Sequence, residues 1–520
     1  MKRFFLALTF LACMPAVLDA RKTAGGDLSP LDFGWKKAKT GEARYEVLYK
    51  THKAALEKGV SVDYTGLKKI QLSVPADAES IPLGRNTDFK GAEIHIYDDT
   101  RDFCLFTLSA PRKRIKVTGK QIDSKDYSQV KALASGLHLL LIEDMTPWVL
   151  QRENRPYGAT RREAVLVRDG VGSNGPCAPY DTPATDPRAY YADADDGQKT
   201  FCNVTFIRNL ESTKKAHLVR FEFQNNVRMS GVKVVTPPND MHGDHCITFF
   251  ACTNILCEDI VIDGTYSQPK EYGYGITLNA VWNSRFHNLR SNCAWGVFGN
   301  NNTHDSYIED CDIERYDTHC YGRNIFIRNC TLNGRGLPVS SIFGTILLED
   351  CKLNQCYPYA CRADYYSYVD FDLYIRNCVV EPRSGSLISL GRLDDKINER
   401  PELVEKRWPN VYVENVTVKV PRGAIEFSLL RTNPTRKYDG YPLSYMSRIH
   451  VDGLQLTYDE GQKSVPFKLC NFPVNLTGKL DCSVRGISGA TSIVLNVHGT
   501  EDSFDVDPGS VPVTQERRGK

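Results

Sequence analysis

The sequence predicts an all-β chain wound into a parallel β-helix, a solenoid capped at its N-terminal end by a helix. Three observations lead there: a repeat of short apolar strands, an Asn/Asp position recurring within it, and a column of cysteines that exchange with Ile, Leu and Val. The repeat reads NILCEDIVI from Asn254, NSRFHNLRS from Asn283, DSYIEDCDI from Asp305 and NIFIRNCTL from Asn324. It continues as TILLEDCKL from Thr345, DLYIRNCVV from Asp372 and NVYVENVTV from Asn410. The second Asn/Asp falls at 259, 288, 310, 329, 350, 377 and 415, at intervals of 29, 22, 19, 21, 27 and 38 residues. Units of that size, rich in Ile, Val, Phe and Tyr with period-two alternation, mark a β solenoid rather than a helical one. Stacked coils pile equivalent residues above each other, and Asn or Asp at a turn tolerates left-handed geometry while hydrogen-bonding its neighbours.

The next column reads Ile260, Leu289, Cys311, Cys330, Cys351, Cys378 and Val416. Cysteine in that company is a small core hydrophobe, so most of the 17 cysteines are expected as thiols. Cys470 and Cys482 lie outside the column and are the better disulfide candidates.

The elements follow in chain order. Residues 1–20, MKRFFLALTFLACMPAVLDA, have a basic tip, a short apolar run and a small residue at Ala20, and read as an export signal too short to span a membrane. Cleavage after Ala20 is favoured over lipid attachment at Cys13. Residues 21–60 are expected as an N-terminal segment with a helix over Glu42 to Gly59, where the spacing of Tyr45, Leu48, Ala54 and Leu56 suggests amphipathicity, placed to cover the open solenoid end. The β-helix is expected over 61–505, with early coils in 60–110 and long loop excursions near 111–200. Gly172 to Gln198, with four prolines, reads as a loop, and 506–520 as a loose tail. No later stretch is apolar enough to cross a bilayer. The formal charge of +2 points to no nucleic-acid partner. The mature chain is expected outside the cytoplasm (periplasmic, extracellular or lipid-anchored at the cell surface) and as a monomer.

An exported chain with Asn-laddered coils resembles the right-handed β-helix proteins of the pectate-lyase-like superfamily, over roughly 200–460. It is similar in overall look to glycan-degrading enzymes of gut Bacteroidota, chondroitin-type lyases among them. That resemblance implies a carbohydrate-active enzyme, and the superfamily spans lyases, hydrolases, esterases and phage spikes, so the chemistry has to come from the residues.

Two adjacent coils carry a local polar patch. FGNNNTH (Phe298 to His304) and DTHCYGR (Asp317 to Arg323) align Asn300 with His319, Asn302 with Tyr321 and His304 with Arg323; a slip of one residue puts Asn301 opposite His319 instead. Cleaving a uronic-acid polymer by β-elimination needs a carboxylate neutraliser, a base and an acid. Arg323 forks onto carboxylates, Asn301 or Asn302 shares the oxygen, and His319 serves as base with Tyr321 as acid, or the two swap roles. Some lyases of acidic glycans resemble this His/Tyr/Arg/Asn set. Substrate contacts are expected from Asn300, His304, His245, Lys270, Tyr272, Tyr274, Arg362 and Tyr365, with His245 and Tyr274 neighbours at one groove edge. The substrate is expected to be an acidic polysaccharide, a chondroitin-like or hyaluronan-like glycosaminoglycan first and pectic or other uronate glycans next.

A glycoside hydrolase would need two carboxylates, for which Asp244, Asp317 and Asp364 are available. A non-enzymatic glycan-binding β-helix is the further alternative. No cofactor is favoured. A calcium site could be built from Asp240, Asp244 and Glu271, whereas zinc on His304 and His319 lacks any compact Cys/His spacing.

Overall fold

The computed structural model describes residues 26–517 except 98–102, 145–149, 153–154, 159–160, 175–186, 210–215, 236–244, 264–273, 293–295, 320, 340–341, 362–370, 391–408, 433–442, 445–447, 472–475, 478–479 and 498–502. The expected export signal therefore lies outside the described residues.

The helix forms over Gly41–Lys58. The Thr40 hydroxyl accepts from the Ala43 amide at 3.1 Å, and Gly59 ends it in left-handed geometry. Its buried Tyr45, Leu48 and Ala55 share a core with Ile70, Leu72 and Ile81. The helix thus packs on the strands Lys69–Ser73 and Ile81–Pro82.

Beyond it the chain is a parallel β-helix. Asn86–Tyr97 pairs parallel with Lys199–Asn209, and each later coil pairs parallel with the next through His245–Asp263, Tyr274–Ser291 and Asn301–Glu309 to Asp481–Ser488. A second parallel sheet begins at Pro338–Val339 and ends at Val513–Arg517. The 506–520 segment is therefore no loose tail: Val513–Arg517 pairs with Ile493–Val497, because its backbone groups complete the last coil.

The Asn/Asp positions are the corners of this solenoid. Asp259, Asn288, Asp310, Asn329, Asp350, Asn377 and Asn415 all have φ between 49° and 55°. Their side chains bond from coil to coil, Asn288 donating to Asp259 at 2.6 Å, Asn329 to Asp310, and Asn377 to Asp350 at 3.1 Å. Register carries the column outside the repeat, to Asn203 and Gly231 before it and Gly453 and Gly486 after it. A second left-handed column holds Asn254, Asn283, Asp305 and Asn324, and a third Phe223, Ala251, Ala280, Asn302 and Tyr321.

Cys311, Cys330, Cys351 and Cys378 are buried free thiols in the expected column. Hydrogen bonds that they donate to neighbouring thiols, and then burial, push Cys330 and Cys378 above the usual thiol pKa. Cys470 and Cys482, expected as disulfide candidates, are buried as well and share no disulfide. They stand across from Leu430 and Ile449 in different sheets, each filling an apolar core position.

The stretch between Phe103–Ser109 and Lys199–Asn209 is more than a loop excursion. It folds into a five-stranded antiparallel sheet centred on Leu137–Asp144 and Arg161–Arg168. Within Gly172 to Gln198, read as a loop, Pro187–Asp193 is one of its strands. The run LHLLLIED explains why: both faces of the strand are apolar, so both are buried. One face packs Leu140, Ile142, Val165 and Val167 on Val117, Ile122 and Tyr127. The other sets Leu139, Leu141, Ala164 and Ala192 against Phe223, Ala251 and Ala280 of the β-helix. The third left-handed column is thus where the inserted sheet docks. Its alanines allow close approach, and each buried leucine contributes about 2 kcal/mol.

Candidate active site

The two polar segments do lie on neighbouring coils. Thr303 pairs with Gly322 and His304 with Arg323, while Asn300 bridges Thr318 rather than His319. Register therefore slips by one at this end, and Asn301 stands beside His319. The two spacings differ because the 317–323 segment carries one more residue, absorbed at the left-handed Tyr321 (φ 50°).

That kink breaks the alternation on which the row His319, Tyr321, Arg323 depends. Tyr321 is 1 % exposed and belongs to the core, so it is not the surface acid that the alternation implies. Alternation holds in the other direction. Tyr316 and Thr318 are fully buried, and Arg315, Asp317 and His319 form the opposite row. The signal was present in the sequence as ERYDTH, counted back from His319 instead of forward.

These three residues converge on Tyr274. Arg315 Nη2 donates to Asp317 Oδ2 at 2.7 Å and to Tyr274 Oη at 3.1 Å. His319 Nε2 lies 3.0 Å from both Asp317 Oδ2 and Tyr274 Oη. The Arg315 guanidinium sits 5.3 Å from the Tyr274 ring centroid, and the His319 ring meets the Tyr274 ring edge-on at 5.8 Å. Two glycines make room: a Cβ on Gly299 would fall 2.3 Å from Tyr274 Cγ, and one on Gly296 2.4 Å from Arg315 Cγ. Asp317 is fully buried, whereas the His319 side chain retains 11 % exposure. The carboxylate holds Arg315 and orients His319 from below. With Nε2–H facing Asp317, the basic lone pair of the imidazole is on Nδ1.

The remaining residues divide between two places. Asn302 and His304 lie under the inserted sheet: Asn302 Oδ1 accepts from the Arg162 amide at 3.0 Å, and Asn174 Nδ2 lies 3.4 Å from His304 Nε2. They anchor that sheet and do not line an open groove, correcting their expected roles in catalysis and substrate contact. Burial lowers the pKa of His304, which the neighbouring Asp305 only partly offsets and Arg323 reinforces. Burial would raise the Asp305 pKa, but hydrogen bonds from His304, Asn324 and Trp282 bring it down to about 2. Asn300 is fully buried, its Oδ1 accepting from the Leu278 amide at 3.3 Å, and so makes no surface contact. Asn301 and Arg323 are half-buried on the outer face.

His245 pairs with Tyr274 across the coils, so the expected neighbours are neighbours in register. Lys270, Tyr272, Arg362 and Tyr365 lie outside the described residues, as do Asp240, Asp244, Glu271 and Asp364. Among the described residues no group of three His, Cys, Asp or Glu could hold a metal ion. No helix among them is long and apolar enough to cross a membrane.

No protein-family model and no curated protein matches the chain. Solved structures do match in fold. The Gp54 tailspike of Acinetobacter baumannii bacteriophage AP22, solved with a capsular saccharide, aligns with a TM-score of 0.51 at 11% identity, over 94% of this chain and 79% of that one. The tailspike gp49 of Pseudomonas phage LKA1 aligns at 0.47 and 12% identity, covering 94% and 83%. The Pseudomonas phage phi297 tailspike gp61 aligns at 0.48 and 10%, covering 94% and 84%. The chain shares the β-helix architecture of the AP22 tailspike.

Proposed function

We propose that the chain cleaves a uronic-acid-containing polysaccharide by β-elimination at the Tyr274, Arg315, Asp317 and His319 cluster. The observation that carries this reading is the contact of a phenol with an imidazole, 3.0 Å apart, over a buried Arg–Asp pair at a coil edge. His319 takes the proton from the carbon beside the uronate carboxylate. The electron pair forms a carbon–carbon double bond as the bond to the glycosidic oxygen breaks, and Tyr274 protonates that oxygen. Arg315, donating to Tyr274 Oη, stabilises the phenolate left behind. Asn301, beside His319, and Arg323 meet the uronate carboxylate and favour its enolate-like transition state. The fold likeness to a tailspike solved with a capsular saccharide supports a glycan ligand. Chondroitin-like or hyaluronan-like chains come first and pectic uronates next.

A panel of uronate polysaccharides, followed by near-ultraviolet absorbance of the unsaturated product, tests the proposal. His319→Ala and Tyr274→Phe should each lower turnover by about 10²–10⁴-fold. New reducing ends without that absorbance would mean hydrolysis. Binding without any turnover would leave a glycan-binding β-helix, the second reading favoured by the same tailspike complex.

A further inference from the structure

The inserted sheet ends in an edge strand of uniform charge. The segment SAPRKRIKVTGKQI (109–122) carries Arg112, Lys113, Arg114, Lys116 and Lys120 and no acidic residue. All five are exposed, and among the described residues none forms an ion pair. Lys113–Ile115 is the outermost strand and, among the described residues, pairs only with Pro187–Asp193. Its register sets the two faces apart: Ile115 stands opposite the buried Ala189, and Arg114 opposite Tyr190.

Arg112 ties this strip to the β-helix. Its guanidinium lies 5.3 Å from the Tyr190 ring and 5.7 Å from the Phe223 ring, at the docking seam of the inserted sheet. Phe223 heads the left-handed column that runs through Ala251, Ala280 and Asn302 to Tyr321, in the coil of His319. Four coil steps of about 4.8 Å place the strip roughly 19 Å along the axis from the proposed site. In register between them stand Phe250, Asn279 and Asn301, all half-buried.

We propose that this basic edge is an exosite for a polyanionic glycan, holding a chain that lies along the β-helix axis with another part at His319. The inference rests on the glycan reading above and names its substrate class as an extended polyanion. Charge complementarity is the argument: Lys113 and Arg114 on the edge strand, Arg112 and Lys116 flanking it and Lys120 in the helix that follows, none of them in an ion pair among the described residues and with Asp123 the first acidic residue after them, attract a chain of repeated carboxylates, and salt screens that attraction. A bland alternative is that the cations only keep the strand edge from pairing with another copy.

The test is binding of polygalacturonate and chondroitin sulfate, with dextran and duplex DNA as controls, across 20–500 mM salt. The intact chain and a variant carrying R112Q, K113Q, R114Q, K116Q and K120Q are compared. The variant should bind both acidic glycans at least tenfold more weakly and lose most of the salt dependence. The variant R112K/R114K, which retains charge, should keep affinity and exclude a folding defect. Unchanged affinity, aggregation as the sole change, or equal binding of dextran or DNA would overturn the exosite. Binding and turnover are read separately, so a parent chain that binds both acidic glycans but never yields the unsaturated product sinks the catalytic reading without touching this one.

Discussion

Asp317 shows how one side chain can organise a site from beneath it. It is fully buried, yet touches Arg315, His319 and, at 3.5 Å, Tyr274. An ion pair in that position adds little to stability compared with an apolar pair, but losing one partner leaves a buried charge. Asp317→Ala should therefore cost about 3–5 kcal/mol in chemical denaturation, as well as activity. Full burial and the pairing with Arg315 also remove Asp317 from the hydrolase's candidate carboxylates. Tyr321→Phe makes the opposite case. Because Tyr321 is a core residue, that substitution should leave uronate turnover within twofold of the parent, whereas Tyr274→Phe abolishes most of it.

The inserted sheet shows what an element does when both its faces are apolar. It brings a hydrophobic core of its own and seals its other face on Phe223, Ala251 and Ala280. Side-chain size in that column controls the approach. Ala280→Leu should overpack the seam and cost about 1–3 kcal/mol, exposing residues 111–198 to limited proteolysis while the coils beyond 300 stay resistant. In the sequence, Ala251 and Ala280 sit in the apolar runs ITFFACT and ITLNAVW with nothing local to single them out. Only the partner sheet, far away in the chain, gives them a purpose. The Asn/Asp ladder from Asp259 to Asn415, by contrast, was legible, since each rung repeats a local backbone requirement, whereas Asn203, Gly231, Gly453 and Gly486 join it only through register.

The solenoid as a whole depends on its capped N-terminal end. His52, on the capping helix, is buried with Nε2 2.6 Å from Tyr64 Oη and its ring against Phe106. Burial lowers its pKa from 6.5 to about 3, with the Pro82 backbone opposing weakly. A histidine depressed in the folded state is protonated first in the unfolded chain. Its contribution is complete above about pH 6.5 and is lost as pH falls toward 3, by about 1.4 kcal/mol per pH unit. His304, also lowered by burial, acts in the same direction. Denaturant midpoints between pH 7 and 4 should fall less steeply for His52→Gln than for the parent. An equal slope would show that burial does not depress His52 in the folded chain.

Local chemistry accounts for what was readable in the chain alone. Corner residues, alternating strands, the thiol column and the capping helix each follow from preferences that act within a few residues, and repetition makes them visible. The polar patch was legible as two neighbouring coils for the same reason. Its membership was not, because one left-handed residue, Tyr321, reverses which side chains share a face, and no local preference announces that kink. Tyr274 and Arg315, 41 residues apart in the chain, meet only when the coils stack. Asn302 and His304 change from groove to seam only when the inserted sheet closes over them. Contacts between distant segments decide burial, and burial decides which polar groups are left to act.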